Sequence, residues 1–144
     1  MKKQIDNFLN SLPDNRRSQF IEILSVFRKS ISREFEEVLD GDMIRFELPL
    51  KLYPSTYNQK PLMFASLSNR KANMTVTLTA IYNDPKIKES FIEKCSNEKS
   101  KLETKRACIK FKSIDEIPLN LIEKNLKNIN QERFLKNYES LMKK

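Results

Sequence analysis

Six carboxylates crowd into one short acidic segment, residues 34–47. Carboxylate oxygens are the ligands that hard cations such as Mg²⁺ and Fe³⁺ prefer in proteins. On a helix, Glu36 and Asp40 would share one face because they are four residues apart. The same spacing also describes an ordinary solvated helix face, and Arg33 and Arg45 are near enough in the sequence to neutralise part of its charge. The candidate metal ligands are Glu34, Glu36, Glu37, Asp40 and Asp42.

A second group of side chains predicts a ligand pocket. Pro49, Pro54 and Pro61 bracket a loop of about a dozen residues that carries Tyr53 and Tyr57. Loops of this length in a compact domain are often functional. Alternatively, tyrosines in such a loop pack against the surface as a lid or brace. The candidate residues of a small-molecule or anion pocket at one end of a sheet are Tyr53, Tyr57, Lys71 and Arg106.

The second half of the chain is basic. Residues 86–144 carry 15 basic and 9 acidic groups, against 12 and 10 in residues 1–85, and the net charge is +8. A basic strip can contact nucleic acid, but no aromatic stacking residue lies between Lys94 and Lys110. Weak nucleic-acid binding is therefore a third alternative, and a solubilising role is a fourth. The basic strip comprises Lys94, Lys99, Lys101, Lys105, Arg106, Lys110 and Lys112.

Three scarce residue types exclude many classes of enzyme. With no His, the chain has no Ser-His or Cys-His pair and no imidazole metal ligand. With Gly41 as its one glycine, it lacks a glycine-rich phosphate loop. Cys95 and Cys108 are too few for a four-ligand zinc site. We therefore predict a non-enzymatic binding domain for a small ligand or a protein partner, with no cofactor required by these counts.

Cysteine usage and hydropathy predict the compartment. Two unpatterned cysteines favour a reducing interior. No stretch approaches the roughly 18 consecutive apolar residues of a membrane span. The expected location is cytoplasmic, without a membrane partner.

The N-terminal elements that hold the acidic segment are predicted to be helical. Apolar residues recur at helical spacing over residues 5–12, and Pro13 ends that run. A second helix is predicted over residues 14–31. A shorter third helix over residues 35–39 is expected to end at Gly41, in the left-handed position that follows a helix.

Alternating apolar and polar residues predict three strands, and a short apolar run at residues 62–67 predicts a fourth. They lie at residues 44–48, 62–67, 74–80 and 107–111, and the second and third most simply form a hairpin. The polar turn between those two strands carries Lys71.

Three helices complete the prediction. Asp84 followed by Pro85 is a strong helix start. Pro118 opens a further helix, and Asn130 caps the last one. We predict one α+β domain, residues 1–144, whose antiparallel sheet of about four strands carries N- and C-terminal helices packed largely on one face.

Several short motifs, taken together in order and spacing, resemble the YdhG-like family, a family of small bacterial domains that is largely without assigned function. The resemblance runs from about residue 5 to residue 138. The motifs that carry it are residues 8–13, 41–44, 53–58, 60–65, 82–85, 108–112 and 115–118.

The sequence departs from this family at three places. Many relatives have Trp-Gly-Met-Pro where residues 40–43 read Asp-Gly-Asp-Met, and Lys-Asn-Tyr-Met where residues 71–74 read Lys-Ala-Asn-Met. Gln59 stands where a turn glycine is common.

The resemblance implies an α+β fold with an antiparallel sheet. Some members are described as frataxin-like iron chaperones, so the resemblance also implies iron binding and delivery. In this chain the five candidate carboxylates would carry that role. The net charge of +8 argues against it, because such a role needs an exposed acidic surface.

Overall fold

A computed structural model describes residues 1–97 and 103–143 of the chain. Helices come first, a sheet follows, and further helices interrupt the sheet and end the described chain, so the α+β prediction is confirmed. The helices are α1 Lys2–Ser11, α2 Asp14–Ser30, α3 Thr79–Tyr82, α4 Pro85–Asn97, α5 Leu119–Lys127 and α6 Gln131–Met142, with a 3₁₀ helix over Ile114–Glu116. The strands are β1 Glu36–Asp40, β2 Met43–Leu48, β3 Leu62–Asn69, β4 Met74–Thr77 and β5 Cys108–Phe111.

The sheet has five antiparallel strands in the order β1-β2-β3-β4-β5, where the sequence predicted about four. Since successive side chains of a strand point to opposite faces, neighbouring rows across the sheet belong to opposite faces. The row on the apolar face is Leu39, Ile44, Leu67, Val76 and Ile109. The adjacent row, on the polar face, is Val38, Arg45, Ser66, Thr77 and Cys108.

The additional strand is β1, for which the sequence wrongly predicted a short helix. Its apolar residues have helical spacing, but the segment pairs along its whole length with β2. Gly41 does not end a helix. It lies in the two-residue connection between the paired residues Asp40 and Met43. Gly41 has φ of +63°, and Asp42 does not have a positive φ, which is the pattern of a type II′ hairpin turn. A tight hairpin and a helix end use the same residue type for the same reason, namely a left-handed backbone.

Strand β4 is shorter than its alternating pattern predicted. It ends at Thr77, and residues Thr79–Tyr82 turn into the short helix α3. The break follows Leu78, whose backbone N–H donates to the carbonyl of Ala107 (3.0 Å). Ala80 and Ile81 are fully buried in α3. Burial of the same apolar residues is thus achieved by a helical turn instead of by a longer strand.

Helix α6 joins the hydrophobic core through Phe134, which is 1% exposed. Its ring lies 5.4 Å from that of Phe35 and 5.2 Å from that of Phe64. Asn130 caps the helix as predicted, since its side chain accepts a hydrogen bond from the backbone N–H of Arg133 (2.8 Å). The core therefore fixes both the start and the inner face of α6. Within the described chain, the membrane-span criteria of length and apolar character are met by no helix.

A buried carboxylate fixes α6 from a second direction. Asp84 is 3% exposed and accepts hydrogen bonds from the backbone N–H of Ile87 (3.2 Å), Arg133 Nε (2.5 Å) and Asn137 Nδ2 (3.0 Å). Burial raises the pKa of the Asp84 carboxyl, but the hydrogen bonds from Arg133, Asn137 and Ile87 outweigh this effect and the pKa is lowered overall. The predicted helix start at Asp84 is confirmed, and the same side chain ties α4 to α6.

We predict that replacing Asp84 with Asn destabilises the protein by about 2 kcal/mol at pH 7, because a buried partner of Arg133 loses its charge. The folded-state pKa lies below the unfolded value of about 3.9. The stabilisation is therefore fully present above that value and is lost as the pH falls through the folded-state pKa. Urea unfolding of the wild type and of Asp84→Asn, from pH 7 down through the folded-state pKa, measures the difference in free energy of unfolding.

The matched control is Glu132→Gln, which removes a carboxylate that is 75% exposed and paired on the surface of α6. We expect almost no change in its free energy of unfolding. The role assigned to Asp84 is contradicted if the wild type and Asp84→Asn have the same free energy of unfolding at pH 7. It is also contradicted if their difference does not shrink in acid.

Candidate functional site

A groove lies between the loop of residues 49–61 and helix α6. Its volume is about 480 Å³. Three of its eight lining residues are tyrosines, and we call it the tyrosine groove. The residues that line it are Tyr53, Ser55, Thr56, Tyr57, Tyr138, Glu139, Met142 and Lys143.

The loop is held by its own backbone. The carbonyl of Pro49 accepts hydrogen bonds from the N–H groups of Leu52 (2.9 Å) and Tyr53 (3.3 Å). Further along, the N–H of Gln59 donates to the carbonyl of Thr56 (3.3 Å), and Gln59 adopts φ of +60°. A residue other than glycine is uncommon in the left-handed region of the backbone, and it persists there where its surroundings hold it in place. These turns bring Tyr53 and Tyr57 to the same side of the loop as α6.

Tyr138 of α6 fastens the loop. Its hydroxyl oxygen accepts a hydrogen bond from the backbone N–H of Tyr57 (2.8 Å). The rings of Tyr53 and Tyr138 meet edge to face at 6.0 Å. The Tyr53 hydroxyl donates to Glu139 Oε1 (3.2 Å). Burial, and then the negative charge of Glu139, raise the pKa of Tyr53, so it stays a neutral hydrogen-bond donor at physiological pH.

Thr56 lines the tyrosine groove and carries an unsatisfied polar group. The residue is 8% exposed, and its Oγ1 atom is buried without a hydrogen-bond partner, one of four such atoms in the described ranges. Buried side-chain oxygens in folded proteins nearly always have a partner. The Thr56 hydroxyl is therefore an unsatisfied group in the wall of the groove, and its oxygen is closed to solvent.

The tyrosine groove continues into an adjoining depression of about 430 Å³ on the other side of Tyr57. The two share Tyr57, Tyr138 and Met142. The adjoining depression adds apolar walls from Met63 and Leu141, and amide groups from Asn58 and Asn83. The site is therefore a mainly apolar surface of two neighbouring depressions, with Tyr57 and Tyr138 as the ridge that they share.

The structure brings together two of the four residues that the sequence assigned to a pocket. Tyr53 and Tyr57 line the tyrosine groove, whereas Lys71 and Arg106 do not. Lys71 lies in the turn after β3, at the opposite end of that strand from the loop, which is roughly 25 Å away at the rise of an extended chain. Arg106 lies before the edge strand β5. Strand direction separates Lys71 from the tyrosines, whereas Arg106 precedes a strand that lies two places away from β3 across the sheet.

Sequence reasoning missed Tyr138, Glu139 and Thr56. The helical spacing of Tyr138 and Phe134 placed both in the core, and Tyr138 is indeed 6% exposed. One signal was present in the sequence, because the hydroxyl of a buried tyrosine normally needs a hydrogen-bond partner. Nothing in the sequence indicated that this partner is the backbone of Tyr57, 81 residues away.

The five candidate metal ligands do not converge. Because their segment contains a strand instead of a helix, Glu36 and Asp40 do not share a helix face, and Glu37 lies on the opposite face of β1 from both. Among the described residues, no group of three or more carboxylate, cysteine or histidine side chains is placed to hold a metal ion.

Each of these carboxylates already has a partner. Four have cationic ones: Glu36 with Lys51 (3.7 Å), Glu37 with Arg28 (2.6 Å), Asp40 with Arg45, and Asp42 with Arg70 (3.3 Å). Glu34 accepts a hydrogen bond from Ser32. A metal cation that bound here would have to displace lysine or arginine from most of its ligands, and this displacement weakens its binding.

The basic strip is divided between elements. Lys94 lies on α4, and Lys110 lies on β5 beside Thr75, on the polar face of the sheet. Lys105 and Arg106 precede β5. Lys99 and Lys101 lie outside the described residues. No aromatic side chain accompanies Lys110 in its row across the polar face, which consists of Asp40, Met43, Ser68 and Thr75.

Comparisons with known proteins yield no relative. No family model matches the chain, and neither a curated protein nor a solved structure matches it. The resemblance to the YdhG-like family and the iron role it implies therefore stay predictions, and the function has to be argued from the geometry.

We predict that anaerobic titration with Fe²⁺, followed by calorimetry, gives no saturable heat at sub-millimolar iron, because lysine or arginine side chains occupy four of the five carboxylates. The double variant Glu36→Gln, Asp40→Asn should behave like the wild type. Saturable heat that disappears in this variant would instead support the frataxin-like role.

Proposed function

We propose that this protein is a binding domain and that the tyrosine groove is its recognition site. The observation that carries the proposal is the convergence of Tyr53, Tyr57 and Tyr138, three of the four tyrosines of the chain, on one groove. The fourth, Tyr82, lines neither depression. Its hydroxyl donates instead to the carbonyl of Thr104 (2.5 Å). Tyrosine offers a large apolar area together with a hydrogen-bonding group, and it is enriched where proteins bind other molecules.

The exposure of Tyr57 supports a binding role. Its side chain is 72% exposed although it lies over an otherwise apolar surface. Leaving a large aromatic ring in water forgoes the free energy that burial would supply, on the order of 2 kcal/mol. A bound molecule that covers this ring gains that free energy.

The site is preorganised. The loop is held by the turns at Pro49 and Gln59 and by the Tyr138 hydroxyl. A binding surface that is already ordered loses less conformational entropy when a ligand arrives. Together with the tyrosine rings, this order suits non-covalent recognition of an apolar group.

We expect small aromatic fragments to bind preferentially at this groove. The measurement is a screen of neutral aromatic fragments against ¹⁵N-labelled protein by NMR, and amide shifts should concentrate at Tyr53, Thr56, Tyr57 and Tyr138. Tyr57→Ala should abolish most of these shifts. It should change the free energy of unfolding by less than about 0.5 kcal/mol, because the side chain is exposed.

Tyr82→Phe is the matched control, since it alters a tyrosine hydroxyl outside the groove. Fragments should shift the groove amides of this variant as they do in the wild type. Shifts that cluster elsewhere, for example on the polar face of the sheet, or that persist unchanged in Tyr57→Ala, would show that the tyrosine groove is not the recognition site.

A further inference from the structure

The tyrosine groove and the adjoining depression together are too open to enclose a small molecule. Tyr57 and Met142, which line both, are 72% and 51% exposed. Small-molecule sites generally bury most of the ligand's surface. Here the two depressions lie side by side and share a ridge, so a longer molecule can place one group in each. The shape favours an extended occupant over a compact one.

Exposed apolar side chains are concentrated on this surface. Six large hydrophobic residues are exposed in the described part of the chain, and three of them, Tyr57, Leu141 and Met142, line the adjoining depression. Scattered exposed apolar residues are normal, whereas a contiguous group indicates an interaction site. Tyrosine and methionine are also the residue types enriched in protein interfaces.

The charged groups at or next to this surface are two lysines and one glutamate. Lys143 lines the tyrosine groove, and Lys60 precedes Pro61 of the adjoining depression. Within residues 1–97 and 103–143, neither lysine forms an ion pair. The acidic group of the groove, Glu139, accepts a hydrogen bond from Tyr53. The overall charge of +8 has the same sign. A partner that complements this rim is acidic.

We infer that the occupant is an acidic peptide segment of another protein, which places one apolar side chain in the tyrosine groove and a second in the adjoining depression. Its carboxylates lie near Lys60 and Lys143. The inference rests on the proposed function of the tyrosine groove and specifies the class of ligand.

The test is selection from a display library of short random peptides on the immobilised full chain, with a parallel selection on Tyr57→Ala. The expected result is enrichment, on the wild type but not on Tyr57→Ala, of peptides with net negative charge and two apolar or aromatic residues. The best of these peptides is then synthesised and its affinity measured. The double variant Lys60→Glu, Lys143→Glu should weaken its binding by about tenfold, and more at low salt than at high salt.

The control is the double variant Lys71→Glu, Lys110→Glu, which changes the net charge equally at exposed lysines that line neither depression. It should leave the affinity within about twofold of the wild type, since long-range charge is screened. Enriched peptides that are neutral or basic, or equal weakening by both double variants, overturn the inference.

A selection that enriches nothing also overturns it. If aromatic fragments still shift the groove amides in that case, the proposed function stands and the ligand is a small molecule. If the fragments fail as well, the proposed function fails with it.

Discussion

The position of helix α6 depends on one buried carboxylate. Asp84 begins α4 by accepting the N–H of Ile87, and it holds α6 by accepting hydrogen bonds from Arg133 and Asn137. A carboxylate that is 3% exposed is stable only while it is paired, because an unpaired charge in that position would be costly. Since Arg133 and Asn137 are one helical turn apart, this single group fixes the rotation of α6 as well as its distance from α4.

That rotation determines what the rest of α6 can do. Phe134 packs against Phe35 and Phe64 in the core. Tyr138 follows one turn later, with its ring buried and its hydroxyl directed to the backbone of Tyr57. The helix thus completes the core and anchors the loop with neighbouring side chains. The tyrosine groove forms where the anchored loop and the last turns of α6 meet, so its shape follows from the packing of the helix.

The sequence predicted this framework well where local patterns decide structure. The starts of α4 and α6 were signalled by Asp84 and Asn130, β2 by alternation and β3 by a short apolar run. It failed at β1, where helical spacing of three apolar residues competed with pairing to β2, and short apolar runs cannot resolve that competition. The acidic segment then lost the helix face on which the shared position of Glu36 and Asp40 depended.

The site shows the same division. Tyr53 and Tyr57 could be recognised from their loop, but the groove is completed by Tyr138, whose partner is set by tertiary packing. Lys71 was wrongly grouped with the tyrosines because the direction of β3, which places its two ends far apart, was not used. Residue types therefore indicated which loop residues could line a site, and long-range contacts determined which other residues line it with them.

The Tyr138 hydroxyl holds the loop of residues 49–61 against α6 through the Tyr57 amide, and hydrogen exchange of that amide measures how firmly. We predict that this amide is protected in the free wild-type protein. In Tyr138→Phe its exchange should accelerate by about five- to tenfold, the equivalent of one hydrogen bond of about 1 kcal/mol. In Tyr82→Phe, which loses a tyrosine hydroxyl bond elsewhere, it should stay unchanged. An unprotected Tyr57 amide in the wild type, or the same exchange rate in Tyr138→Phe, would contradict the account.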